Sequence, residues 1–473
     1  MLDKQKRSKE YCPQSATRGR REFLRAGSLG LFGLGLNDLL AGRAVAASPE
    51  RIARAKACIV LFMWGGPAQQ DTWDMKPDAP AEYRGEFQPI STSVPGLQIC
   101  EHLPLLAQRA DQLAVIRSMT HDSVDHTHAT HYLLTGRDVA RRGQPLHEDW
   151  PGYGAVMSQL NRGQGPLPPF VSMMPEVVNG SPRFVEQSHG SGAGWLGPQY
   201  APLRIDDDGS KQDYLAEFAL KANLPDGRIG ERRGLLSNLD QQLQYLTRSR
   251  EGVGYTAQTE RAFQILADPE VRRAFDLCSE PVELREQYGM NPHGQSVLQA
   301  RRLVEAGVPL VTVFWPNDGI TGVSVYWDTH HRNFIDLKER LCPVTDQAFS
   351  ALLDDLKDRG MLDETLIVWT GEMGRTPRVG QSVVGGAGAG RDGRDHWGGV
   401  FTSVLAGGGI RGGTVYGASD RLAAFPESQP TAPADLAATI YTLLGIPPDL
   451  ELRDRLNRPM SLCDGRPIPD VIG

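Results

Sequence analysis

The sequence predicts an α/β fold, a mostly parallel central sheet with helices on both faces. Three observations carry this. Unalternating apolar runs at 57–64, 310–315 and 366–370 suit strands covered on both sides. Segments with helical spacing alternate with those runs, as a parallel sheet requires of its crossovers. Histidines and carboxylates gather around the ends of the runs, where parallel sheets bind their ligands.

The chain opens on what reads as a twin-arginine export leader, residues 1–46. Arg20-Arg21 precedes Glu22-Phe23-Leu24, an apolar, glycine-containing stretch over 26–40, and the small-x-small sequence Ala44-Val45-Ala46. The stretch is too short and polar for a stable span, and no later segment reaches about 18 uninterrupted apolar residues. This predicts a precursor that engages the twin-arginine export machinery and is cleaved. The product is expected in the periplasm or outside the cell, without stable membrane insertion. Residues 47–473 are expected to form one large domain.

The first strand, Ala57 to Trp64, is closed by Gly65-Gly66-Pro67, a turn or a close approach of backbone to an anion. Residues 103–110 read as a short helix, and Leu113-Ala114-Val115-Ile116 as a strand running into Met119-Thr120-His121. Residues 160–305 read as an insertion, rich in Pro and Gly to about 230 and expected as long loops with small strands. Its second half has helical composition, with Leu235, Leu236, Leu239, Leu243 and Leu246 at helical spacing and Ala262-Phe263 and Ile265-Leu266 opening another such pattern. Strand and helix then alternate again: 310–315, a helix over 344–358 with Phe349, Leu352, Leu353 and Leu356 on one face and Gly360 as its stop, and 366–370. A Gly-rich loop over 380–399, a strand over 400–405 and a helix over 434–444 complete the domain.

Net charge is -7 and the basic residues are dispersed, which excludes a basic nucleic-acid-binding stripe; no nucleic-acid partner is expected. Cys12 lies in the leader. Cys58, Cys100, Cys278, Cys342 and Cys463 form no CxxC pair, which disfavours a thiolate zinc cluster or a thioredoxin-type site. Cys58 sits in an apolar run and is expected to be simply buried.

Asp71 follows the first strand; His121, Asp122, Asp125, His126, His128 and His131 follow the second. Asp328, His330 and His331 lie beyond the strand at 310–315, Glu372 two residues past Thr370, and Asp395-His396 just before the strand at 400–405. Imidazole and carboxylate together suit a divalent cation. Arg137 is either a solvated residue of a turn or a bidentate fork for an oxyanion or carboxylate. Two residues separate His126 from His128. An extended chain, expected here, puts both on one side, whereas a helix turns them about 200° apart.

The segments GGPAQQDTWDMKP (65–77), HDSVDHTHATHYLLTGR (121–137), YWDTHHRNF (326–334), VWTGEMGRTPRV (368–379) and GRDHWGGVFTSVLAGGGI (393–410) give the chain a family likeness. It resembles the exported proteins called domain of unknown function 1501, distant relatives of the alkaline phosphatase and sulfatase superfamily. The likeness to the first covers nearly everything after the leader; that to the superfamily is patchy. It implies an alkaline-phosphatase-like fold. Asp71 resembles the superfamily's metal-binding carboxylate after the first strand, with Asp74 as its rival. Leu133-Leu134-Thr135-Gly136-Arg137 resembles the L-L-T-G-R that follows the sulfatase nucleophile segment C-x-P-S-R. His126 then falls on the cysteine that becomes formylglycine, His128 on the proline and Thr130 on the arginine. Thr370 to Gly374 resembles S-D-[HN]-G, with Glu372 at a metal-ligand position. Asp328 with His330, and Asp395-His396, resemble metal-binding pairs of the phosphatase branch.

The resemblance implies one or two divalent cations, zinc first, with manganese, calcium or iron as alternatives, held by Asp71, Asp328, His330 or its neighbour His331, Glu372 and His396. Catalytic roles are expected of His126, Thr127, His128 and Arg137, although Thr127 does not fall on the superfamily's nucleophile position. No cysteine lies between 101 and 277 to become formylglycine, which counts against ordinary sulfatase chemistry. Two readings follow. One is a metal-dependent hydrolase of phosphate or sulfate esters, acting on a small anionic ester or a sulfated or phosphorylated saccharide. The alternative is a non-catalytic exported protein of the same fold that binds a metal and an anionic or carbohydrate ligand.

Overall fold

The computed structural model describes residues 53–473 apart from 139–142, 164–166, 176, 178–180, 208–267, 318–319 and 321. The leader and the helical pattern from Leu235 to Leu266 lie outside the described residues.

Eight strands form the central sheet. In chain order they are β1 (Ala57–Phe62), β2 (Leu113–Met119), β3 (Phe170–Pro175), β4 (Leu203–Asp207), β5 (Leu310–Phe314), β6 (Thr365–Thr370), β7 (Phe401–Ala406) and β8 (Thr414–Tyr416). Their order across the sheet is β8-β2-β7-β6-β1-β5-β3-β4. All neighbours are parallel except β7, which runs antiparallel to both β2 and β6. β1, β3, β5, β6 and β7 are buried at every position, so both faces of the sheet are covered, as their apolar sequences require. Cys58 is buried on β1, and the five described cysteines are all free thiols.

The described residues of 160–305 contribute to this sheet and to its cover. β3 and β4 extend it beyond β5, a short helix over Tyr153–Gln159 (α2) packs on β3 and β5, and a helix over Pro292–Glu305 (α3) packs on β1 and β5. Pro292 sits at the helix start and the Asn291 side chain caps it through the Gly294 N–H, which fixes where α3 begins. The expected helix at 344–358 is Cys342–Asp358 (α4). Phe349, Leu352, Leu353 and Leu356 are all buried on it, and it packs against α3.

Two further helices meet near the second strand. Residues His126–Thr135 form α1, whose Asp125 side chain accepts the His128 N–H, and whose C-terminal Gly136 is left-handed at φ 72°. A side chain at Gly136 would strike Ala437 of the helix Pro433–Leu443 (α5), so glycine serves both the cap and the close packing. The extended conformation expected for 126–128 is therefore corrected: Asp125 ends the extended chain and a helix begins at His126.

Candidate metal centre

β1 and β6 lie at the centre of the sheet, so the chain leaving each enters a crevice over its carboxyl edge. Gly65 and Glu372 follow those strands, and His126 opens α1 after β2. Asp328 and His330 sit in the loop after β5. Asp395-His396 precedes β7 instead of following it. Because β7 alone runs antiparallel, its amino end lies at the carboxyl ends of its neighbours, and Phe401 pairs with Met119 at the end of β2. That reversal brings His396 to the same edge as the others.

Three imidazoles converge on one carboxylate oxygen. Oδ1 of Asp328 stands 2.9 Å from His330 Nε2, 3.2 Å from His396 Nε2 and 3.5 Å from His126 Nε2. The two Nε2 atoms of His330 and His396 face each other at 2.9 Å. Each ring is fixed from behind. His330 Nδ1 is 2.6 Å from the Gly388 carbonyl, His396 Nδ1 2.7 Å from the Val124 carbonyl, and His126 Nδ1 2.6 Å from Glu372 Oε1. Carbonyl oxygens only accept, so the protons of the neutral His330 and His396 rings sit on Nδ1, and their Nε2 lone pairs oppose one another. His126 Nε2 is buried and makes no hydrogen bond. His126, Asp328 and His396 offer ligand atoms all within 4.8 Å of one another, and so do His330, Asp395 and His396. Converging lone pairs with no proton to share, and an orphaned ring nitrogen among them, fit a divalent cation.

Electrostatics point the same way. Burial opposes protonation of His126, but Asp328 and Glu372 outweigh it and push the imidazole up to about 9. Burial would raise Asp328, yet the Arg375 guanidinium and His126 hold it well below the usual carboxylate range. His396 is lowered, first by burial, with His126 and Arg375 adding to the effect against the pull of Asp328.

The surrounding backbone is built to these groups. The Gly65 N–H donates to both Glu372 oxygens, at 2.9 and 3.2 Å. Gly65 has φ +105°, and a Cβ there would lie 2.3 Å from the Asp328 nitrogen, so only glycine lets the two loops meet. The glycine loop reaches in as well: Val383 N–H donates to Asp395 Oδ2 at 2.8 Å, and a Cβ at Gly386 would lie 2.4 Å from Asp395 Oδ1.

The geometry brings together His126, Asp328, His330 and His396, with Glu372 one step back behind His126. It corrects other expectations. Asp71 is fully buried, but its oxygens receive Arg394 at 2.7 and 3.0 Å and Asn333 at 2.8 Å; its charge is neutralised by arginine, not offered to the cluster. Its rival Asp74 pairs with Lys76 at 3.0 Å. His128, turned away by the helix, pairs with Asp138 at 2.6 Å. Arg137 is no free fork: it binds Asp464 and the Ser461 carbonyl and lies 4.3 Å over the Trp150 ring, tying the end of α1 to the chain's last segment. His331 does not join the cluster; a Cβ at Gly390 would lie 2.2 Å from its Nδ1. Thr127 lines the same cavity as His126 and His396.

Sequence reasoning did not single out Arg375, buried against Asp328 and the Gly65 carbonyl, or Arg394 and Asn333, which neutralise Asp71. Arginine next to the carboxylate segments, in Gly374-Arg375 and Arg394-Asp395, was the available signal.

No curated protein matches the chain in sequence. Among solved structures, it is similar to a phosphonate monoester hydrolase of Agrobacterium radiobacter at 12% identity and a TM-score of 0.39, covering 87% of this chain and 76% of that one. It is similar to a sulfatase from Pseudoalteromonas sp. at 15% identity and a TM-score of 0.36, covering 86% and 71%. It is also similar to a protein in the alkaline phosphatase superfamily from Vibrio parahaemolyticus at 10% identity and a TM-score of 0.39, covering 89% and 71%. The profile described as "Protein of unknown function (DUF1501)" matches residues 55–472, and the chain belongs to that family.

Proposed function

We propose that this chain is an exported, metal-dependent hydrolase of phosphate or sulfate esters. The observation that carries the reading is the set of Nε2 atoms of His126, His330 and His396 around Asp328 Oδ1. Imidazole-rich donors with one carboxylate favour zinc over the harder ions. Such a cation, when bound, polarises an ester oxygen and lowers the pKa of an attacking hydroxyl.

The chain's own residues do the rest. Glu372 holds the Nδ1 proton of His126 and so turns its Nε2 toward the cluster. Arg375 keeps Asp328 ionised. Thr127, in the first turn of α1, is the hydroxyl lining the cavity, and the positive end of the helix favours negative charge developing there. Attack by that hydroxyl forms an ester bond to the Thr127 oxygen as the bond to the alcohol oxygen breaks, the hydroxyl proton leaving with the alcohol, and water then cleaves the Thr127 ester to free the anion; water attacking in its place gives the alcohol and the anion in one step. The substrate class is a small anionic ester, or a sulfated or phosphorylated saccharide presenting one ester group.

The absence of a cysteine or serine at position 126 supports the second reading, a non-catalytic protein of this fold that holds a metal and an anionic ligand. Export follows from the leader, and no described helix is long and apolar enough to cross a membrane. Elemental analysis of tag-free protein, with turnover of aryl phosphate and aryl sulfate esters, decides between the readings. One or two equivalents of metal with turnover is expected. Metal without turnover of either ester favours the second reading, and absence of metal overturns the first.

A further inference from the structure

The imidazole cluster opens onto a cavity of about 300 Å³ whose wall includes His126, Thr127, Arg183, Phe184, Gln187 and His396. Three buried arginines are engaged: Arg137 with Asp464, Arg375 with Asp328 and Arg394 with Asp71. Arg183 differs. It is exposed, and its guanidinium makes no hydrogen bond or ion pair among the described residues.

The segment that carries it is well anchored. Residues Arg183–Glu186 form a single helical turn, and Phe184 points into the protein while Arg183 stays at the cavity. The Phe184 ring lies 4.3 Å from that of His126, 5.6 Å from that of Trp64 and 6.4 Å from that of Tyr326. The turn continues to Gln187, whose N–H donates to the Arg183 carbonyl at 2.9 Å. A spacing of four along a helical turn puts Arg183 and Gln187 on one side, and both line the cavity. Phe184 therefore ties a cationic fork and an amide to the ring whose Nε2 is orphaned.

We propose that Arg183 and Gln187 are the oxyanion clamp of this cavity. They hold the non-bridging oxygens of a tetrahedral phosphoryl group while the imidazole cluster holds its cation. The clamp rests on the ester-hydrolase reading above and adds the residues that recognise the substrate. A planar guanidinium matches two oxygens of such a group at once. Asp125, also on the cavity wall, has its Oδ1 on the His128 N–H and keeps an anion on the Arg183 side by repulsion. The cavity lies at the lower end of ligand-sized sites, which run from about 300 to 1,000 Å³. It suits a small phosphate ester or the terminal ester of a chain, not an internal unit of a long polymer.

The test is calorimetric titration of inorganic phosphate into the tag-free, metal-containing protein at pH 7.5, for wild type, Arg183→Ala, Arg183→Lys and Gln187→Ala. Metal content and Tm are measured on the same preparations. Arg183→Ala is expected to weaken phosphate binding roughly 10- to 100-fold, the range of a charge-assisted pair. Arg183→Lys should recover part of that loss, because it restores charge without the fork, and Gln187→Ala should lose less. Metal content and Tm stay at wild-type values in all three. Wild-type phosphate affinity in Arg183→Ala, or a metal-containing wild type that binds no phosphate, overturns the clamp. A wild type that holds no metal overturns the hydrolase reading instead, and phosphate titration of the same proteins still decides the clamp.

Discussion

Glu372 Oε1 lies 2.6 Å from Nδ1 of His126, a residue 246 positions earlier in the chain. The same carboxylate receives the Gly65 N–H, so one buried group joins the loop after β1 to the start of α1. An imidazole held this way has one nitrogen committed and the other aimed, the arrangement that orients histidine ligands in metal sites.

Glu372→Gln keeps the shape and removes the charge behind His126. Metal affinity, measured by competition with a chelator, is expected to fall roughly 10- to 100-fold. Affinity equal to wild type would remove the orienting role.

His396→Ala and His128→Ala separate the helix from the extended chain. His396 Nε2 sits 3.2 Å from Asp328 Oδ1, whereas His128 faces Asp138. Plasma mass spectrometry should find at least one equivalent of metal lost in the first variant and none in the second. Equal metal content in both would contradict this assignment of the two rings.

Asp71→Asn leaves the Arg394 guanidinium buried without its counter-charge. Breaking such a pair costs about 3–5 kcal/mol, visible as a lower denaturation midpoint. Metal bound per folded molecule should be unchanged. A variant of wild-type stability that has lost metal would return Asp71 to the ligand set.

His293 gives the protein an acid-labile point away from the site. It stacks on Trp315 at 4.3 Å, its Nδ1 has no partner, and burial lowers it to about 3. The folded value is below the unfolded one, about 6.5, so the unfolded chain takes up the proton first. Stability is therefore flat above about pH 7 and falls as pH drops from 6.5 toward 3, by about 2 kcal/mol at pH 5 from this residue. Denaturant unfolding of His293→Phe at pH 7 and pH 5 should show a smaller difference than wild type; an equal difference would exclude His293 as the source.

Changing Arg20 and Arg21 together to lysine should leave uncleaved precursor in the cytoplasm, because the transporter reads that pair. Fractionation with N-terminal sequencing checks this, and normal processing of the double variant would rule out the twin-arginine route.

Local pattern explains what was readable in the sequence. β1, β5 and β6 are covered on both faces, so each is a continuous apolar run, and α4 repeats its buried face every three to four residues. Parallel strands deliver their carboxyl ends to one edge, which is why residues following separate strands were expected to meet. β3 and β4 were less legible, since their strands lie among Pro- and Gly-rich loops.

The sequence by itself determined the sheet, the helices that cover it, and a pool of histidines and carboxylates at the strand ends, because each depends on a repeat a few residues long. Only the tertiary structure decided which of that pool share a site. The Asp125 cap starts a helix that separates His126 from His128, and the reversal of β7 carries His396 to the carboxyl edge. Arg394 reaches Asp71 across 323 positions and removes it from the cluster. Charges far apart in sequence pair according to which loops fold over the same edge, and no local periodicity encodes that choice.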